Sequence, residues 1–157
     1  MKTSKQLLDN ENAALNQARL DDHLCFALYS ASLTMSKVYK PLLTKLKITY
    51  PQYVVLLALW EKDNVMVSEL GNRVFLDSGT LTPLLKRLET LGLVKRTRAI
   101  EDERRVLIKL TPKGKDLQKQ TSKVREGIQN AVKCTAEEAK KLTNDLQNLR
   151  KVLLSST

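Results

Sequence analysis

Residues 77–94, "DSGTLTPLLKRLETLGLV", decide the fold. Leu81, Leu84, Leu85, Leu88 and Leu91 recur at steps of three and four, the spacing that places side chains on one face of an α-helix. Asp77 or Ser78 can accept from the free N–H groups at its start, and Gly92 supplies the carboxyl-terminal stop. Pro83 lies inside this helix, where its ring presses on the carbonyl of Gly79, whose freer backbone can give way.

Working outward, "LVKRTR" (93–98) and "RRVLIKL" (104–110) read as two strands joined by the charged turn "AIEDE", with Val106, Ile108 and Leu110 alternating inward. They predict a hairpin. On the other side, "VSELGNRVFLD" gives a short helix and a turn. Before it, "QYVVLLALWEKDN" is apolar enough for a buried helix closed by Asp63 and Asn64. Helix, turn, leucine-lined helix and basic hairpin are the outline of a winged helix-turn-helix. Such a module sets one helix in the major groove with the hairpin tip beside it, within reach of the minor groove.

The flanks are helical. Leu20, Leu24, Leu28, Ala31, Met35, Val38 and Leu42 form the seam of one long amphipathic helix, which Pro41 kinks or interrupts. Residues 1–19 are polar and weakly periodic, a frayed arm or short first helix. Thr111 and Pro112 start a helix that runs to about residue 133 through Leu117, Val124, Ile128 and Ala131. Thr135 and Glu138 form a capping box for a last helix lined by Ala139, Leu142, Leu146, Leu149 and Val152.

The chain has 157 residues, 42% of them hydrophobic, enough for one core. Its 27 Lys and Arg against 17 Asp and Glu give a formal charge of +10, which attracts polyanions, nucleic acid ahead of membrane. Eight basic residues lie between Lys86 and Lys109, namely Lys86, Arg87, Lys95, Arg96, Arg98, Arg104, Arg105 and Lys109, and predict steep salt dependence. Ser78, Thr80 and Thr82 lie off the leucine stripe near the start of their helix, where hydroxyls can meet base edges and phosphates. The alternative is that they cap and solubilise.

No run approaches a bilayer span and no apolar signal core opens the chain, so the expected location is cytoplasmic, away from membranes. Cys25 and Cys134, 109 positions apart, lack metal-ligand spacing. In a reducing compartment any pairing between them is a switched event. No metal or other cofactor is expected.

The residues "SELGNRVFLDSGTLTPLLKRLETLGLVKR" and "EDERRVLIKLTPKG" resemble the MarR family of dimeric winged-helix repressors. Within it, "LCFALYSASLTMSKVYKPLLTKLKITYPQY" is similar to the OhrR branch, the sensors of organic hydroperoxides. The resemblance covers about residues 20–155. It implies a mainly α fold with a small β-hairpin wing and long N- and C-terminal dimerisation helices. Residues 1–45 and 111–157 would be the helical dimerisation region, and residues 46–110 the DNA-binding lobe of one compact domain per subunit. It also implies that Asp102 orients an arginine, that Arg104 is the minor-groove arginine, and that Arg105 is structural or phosphate-facing. The base-reading positions fall on Ser78, Thr80 and Thr82, with Lys86 and Arg87 close to the backbone.

Cys25 lies one position beyond the leucine seam, at the edge of the packed face, where a free cysteine is most often a small packing residue. Tyr29 is one turn along and can approach it. Tyr39 is 14 residues away, roughly 21 Å along a straight helix. An antiparallel copy packed across a two-fold axis could bring Tyr39 of the partner subunit to Cys25 instead, which matches what the resemblance implies for Tyr39 and Tyr50. Tyrosine hydroxyls donating to sulfur favour the thiolate that attacks a peroxide; the alternative is ordinary aromatic packing at an interface. Leu24, Phe26 and Leu28 suit a peroxide with a hydrocarbon tail. Attack gives a sulfenic acid, which condenses with a second thiol if one can reach it.

The resemblance implies the two-cysteine type, in which Cys134 of the opposing subunit resolves Cys25. As a residue, Cys134 is equally natural as a small apolar group packing near Ala139. The expectation is a homodimeric repressor, not an enzyme, that binds double-stranded operator DNA when reduced and is released by organic hydroperoxide. The alternative is a repressor released by a small aromatic acid or phenol bound between the DNA-binding lobe and the dimer helices. A thiol peroxidase would leave the basic hairpin unexplained, and no residue set for repeated turnover is visible. His23 is a surface residue with no assigned role.

Overall fold

The computed structural model describes residues 19–98 and 105–156. The chain divides after Tyr50 into two compact units. Asp102 and Arg104 lie outside the described residues.

In the first unit, Leu20–Asp22 form a 3-10 turn that the His23 N–H closes by donating to the Leu20 carbonyl at 3.2 Å. Helix α1 (Leu24–Thr44) therefore starts afresh after His23, and Leu20, the first rung of the expected seam, falls outside it. Pro41 does not interrupt α1, which continues to Thr44. Its missing N–H removes one backbone bond, to the Lys37 carbonyl, and the helix runs on for only one more turn. Leu43 is fully buried, Phe26, Leu28, Met35, Val38 and Leu42 are half-buried, and Leu24, Tyr29 and Leu33 stay exposed.

The second unit carries the sheet. Helix α2 (Tyr50–Glu61) buries Val55, Leu56 and Leu59 completely, as its apolar run predicts. Asn64 then takes a left-handed φ of 57°, a conformation its short polar side chain tolerates, and turns the chain. Strand β1 (Val65–Met66) leads into α3 (Val67–Val74), α4 (Ser78–Thr90), β2 (Val94–Arg98) and β3 (Val106–Leu110). The expected hairpin is present, Val94 facing Leu110 and Arg98 facing Val106. It gains a third strand, because β1 pairs antiparallel with the free side of β3, Val65 opposite Ile108. Two residues are too short a run for alternation to register in sequence.

Leu81, Leu85 and Leu88 of α4 are buried, as are Leu70 of α3 and Ile108 of β3, while Leu84 and Leu91 are half-buried. Burying each such leucine contributes roughly 1.5–3 kcal/mol. Gly92, at φ 72°, ends α4 in the left-handed region that favours glycine.

Helix α5 (Pro112–Gln120) starts as expected, Thr111 accepting from the Gly114 N–H at 3.0 Å with Pro112 behind it. It does not run on to residue 133. At Thr121, 2% exposed, the backbone N–H and the hydroxyl both donate to the Gln118 carbonyl, at 3.1 and 2.7 Å. That double contact tightens the turn and separates α5 from α6 (Ser122–Val132). Lys133, at φ 51°, closes α6, and the Thr135–Glu138 capping box opens α7 (Ala136–Leu154). Along α7 the apolar stripe is exposed among the described residues: Leu142 is 56% and Val152 62% exposed.

Candidate nucleic-acid interface and sensor cysteines

The turn from α3 to α4 is built by close approach. Phe75 takes a left-handed φ of 57°, and the Leu76 N–H donates to the Gly71 carbonyl at 3.0 Å. A Cβ on Gly71 would stand 2.9 Å from the Leu76 carbonyl oxygen, so only glycine fits without displacing backbone. Asp77 then caps α4, its Oδ1 accepting from the Thr80 N–H at 2.9 Å and its Oδ2 from the Thr80 hydroxyl at 2.8 Å. These two bonds hold the Asp77 carboxyl below its ordinary pKa, the hydroxyl contributing most.

Of the expected DNA-facing hydroxyls, Ser78 is exposed in the first turn. Thr80 is exposed, but its proton is committed to Asp77, so what it offers DNA is lone pairs. Thr82 is half-buried and lines a cavity of about 370 Å³ whose walls include Leu85, Arg96 and Arg105. Lys86 and Arg87 are exposed farther along α4, and Lys95, Arg98 and Lys109 are exposed on the wing strands.

Two wing arginines have partners that no sequence spacing announces. The Arg96 backbone N–H donates to Glu89 Oε1 at 2.9 Å, and its guanidinium lies 3.9 Å from Glu89 Oε2. Glu89 thereby ties the end of α4 to β2, an edge strand of the sheet. Arg105 is exposed and turns its guanidinium onto the sulfur of Met66. One pair joins α4 to β2, and the other joins β1 to the residue just before β3.

Both thiols are free and exposed. Cys25 sits in the first turn of α1, with Tyr29 a turn later, 61% exposed and 6.5 Å from the Phe26 ring centre to centre. Tyr39 and Tyr50 come together, their ring centroids 4.4 Å apart and tilted by 30°. Cys134 lies in the connection between α6 and α7 and points its Sγ at the Val132 carbonyl, 3.5 Å away. Exposure of both sulfurs disfavours the reading of either as core packing. Among the described residues, no helix is long and apolar enough to cross a membrane, and no three metal-ligating side chains cluster.

The sequence profile of the transcriptional regulator SarA/Rot family matches residues 37–126. The chain is 47% identical over 135 residues to the organic hydroperoxide resistance transcriptional regulator of Bacillus subtilis, covering 86% of this chain and 92% of that protein. Among solved structures it resembles AbfR of Staphylococcus epidermidis. In the reduced, DNA-bound form of AbfR, the identity is 39%, the coverage 90% of this chain and 99% of the other, and the TM-score 0.71. For the disulfide form of AbfR the corresponding values are 39%, 88%, 98% and 0.60. A winged-helix lobe with a basic wing, set beside these relatives, places the chain in the MarR/SarA family of DNA-binding transcriptional regulators, on its OhrR branch.

Proposed function

We propose that the chain is a homodimeric, redox-sensing repressor that holds operator DNA when reduced and releases it when an organic hydroperoxide oxidises Cys25. The observation that carries this reading is a free, exposed thiol in the first turn of α1, in a chain 47% identical to an organic hydroperoxide resistance regulator. Residues 46–110 serve as the DNA-binding lobe, residues 1–45 and 111–157 as the dimerisation region. The uncovered leucines of α7 and the exposed Leu24 and Leu33 of α1 support a partner subunit on these faces.

Ser78, Thr80 and Thr82 read bases from α4. Lys86, Arg87 and Arg105 meet phosphates, and Arg104, oriented by Asp102, enters the minor groove. Tyr29, Tyr39 and Tyr50 support the sensor thiolate, the latter two as a tilted ring pair. Attack of the Cys25 thiolate on the terminal peroxide oxygen breaks the O–O bond, leaves sulfenic acid and releases an alcohol. Cys134 of the partner subunit then displaces water from that sulfenic acid to form a disulfide. A cross-link between the two subunits shifts the two α4 helices from the spacing that one turn of DNA requires.

The test is operator binding at moderate salt before and after one equivalent of organic hydroperoxide, with the same samples on non-reducing gels. Loss of binding with a dithiothreitol-reversible, dimer-sized band is the expected result. Binding that survives oxidation overturns the redox reading in favour of release by a small aromatic or phenolic ligand.

A further inference from the structure

Met66 in β1 presents its thioether sulfur to the Arg105 guanidinium, with Nε 3.0 Å and Nη2 2.8 Å from Sδ. Two N–H groups of one fork converge on a weak acceptor, whereas this edge of a guanidinium is shaped for oxygen acceptors. Met66 faces Leu107 of β3, two residues beyond Arg105, so the contact lies at the end of the sheet nearer the hairpin turn. The same residue is half-buried and lines the cavity of about 370 Å³ bounded by Thr82 and Leu85 of α4 and by Arg96 of β2. A small oxidant thus has room beside a sulfur that a cation already holds.

We propose that Met66 is an oxidation site separate from the cysteines, and that its sulfoxide, captured by Arg105, alters how wing and α4 meet DNA together. The oxidant is a hydroperoxide. A sulfur lone pair attacks its terminal oxygen, the O–O bond breaks, an S–O bond forms, and the terminal proton ends on the departing oxygen, which leaves as an alcohol. Sulfur is oxidised by two electrons and the peroxide is reduced by two. Arg96 and Arg105 line the cavity, and their positive charge favours the charge developing on the leaving oxygen.

The product is polar where the thioether was apolar. Its oxygen takes the bonds that the Arg105 fork offered to sulfur, and it stands between the two groups, so Arg105 moves outward with the start of β3. Thr82 and Arg96 border the same space, so α4 and β2 feel the change as well.

The experiment uses the full chain carrying Cys25→Ser and Cys134→Ser, so that no thiol switch contributes and the outcome is independent of the cysteine mechanism. It is treated with excess tert-butyl hydroperoxide, mapped by peptide mass, and titrated with operator. The expected result is a one-oxygen gain on the Met66 peptide that outpaces the Met35 peptide, with a several-fold loss of affinity. Methionine sulfoxide reductase restores both, and a further Met66→Leu substitution, close in volume, keeps its affinity through the same treatment. A Met66 peptide that stays unmodified overturns the site. Met66 sulfoxide with unchanged affinity, or equal loss in the Met66→Leu chain, overturns its link to DNA.

Discussion

Cys25 is exposed and one turn from Tyr29, so its chemistry is open to substitution without loss of core packing. Cys25→Ser is expected to leave a repressor that stays on its operator after hydroperoxide, read by gel shift. Cys134→Ser is expected to form the sulfenic acid, trapped by a dimedone-type reagent, yet to give no dimer-sized band on a non-reducing gel. Release of DNA by peroxide-treated Cys25→Ser would refute the sensor assignment. Asp77 supplies a pH-dependent prediction. Its pKa is lowered chiefly by the Thr80 hydroxyl, so the stability it contributes is present above the ordinary carboxylate range and fades as pH falls through the lowered value. Thr80→Val removes that hydroxyl, and its melting temperature is expected to lie a few degrees below the parent at neutral pH, with the gap closing in acid.

At the scale of the element, α4 has two faces with separable roles. Leu85, 1% exposed, belongs to the core, and Leu85→Ala is expected to cost about 3 kcal/mol in urea unfolding at fixed protein concentration. Lys86 and Arg87, on the exposed side, add nothing to that core. Lys86→Ala is expected to leave unfolding unchanged while lowering the salt slope of operator binding by about 1, the signature of one lost phosphate contact. An unchanged slope would remove Lys86 from the interface. Helix α5 meets a harder limit. A Cβ at Gly114 would fall 2.0 Å from the Leu93 carbonyl oxygen, and the Gly114 carbonyl accepts from the Trp60 indole at 3.0 Å. Gly114→Ala is therefore expected to displace α5 from the sheet, read as loss of cooperative melting.

At the scale of the whole molecule, a formal charge of +10 sits on a chain that leaves apolar surface open along α7. The charge speeds encounter with DNA, and the proposed dimer would cover the open face. Leu146, 42% exposed, lies on that stripe. Leu146→Glu is expected to give monomers in sedimentation and to lose operator affinity by orders of magnitude, because one lobe reads only half of a two-fold site. A dimeric Leu146→Glu protein would place the subunit interface elsewhere.

Local physics was legible in the chain itself. The leucine stripe of α4, the Gly92 stop, the Thr111–Pro112 start and the Thr135–Glu138 box each depend on neighbours within a few residues, and all stand in the structure. The basic wing strands likewise follow from residue type, whereas the exposure of Cys25 belongs to the structure. What only tertiary structure decided depends on partners distant in sequence. Strand β1 exists because β3 has a free side, and α5 and α6 part where Thr121 is buried. Glu89 ties itself to Arg96 across two elements, and Met66 receives Arg105 from 39 positions away. Periodicity and capping carry information over one or two turns of helix, whereas side chains joined across elements meet only once the chain has folded.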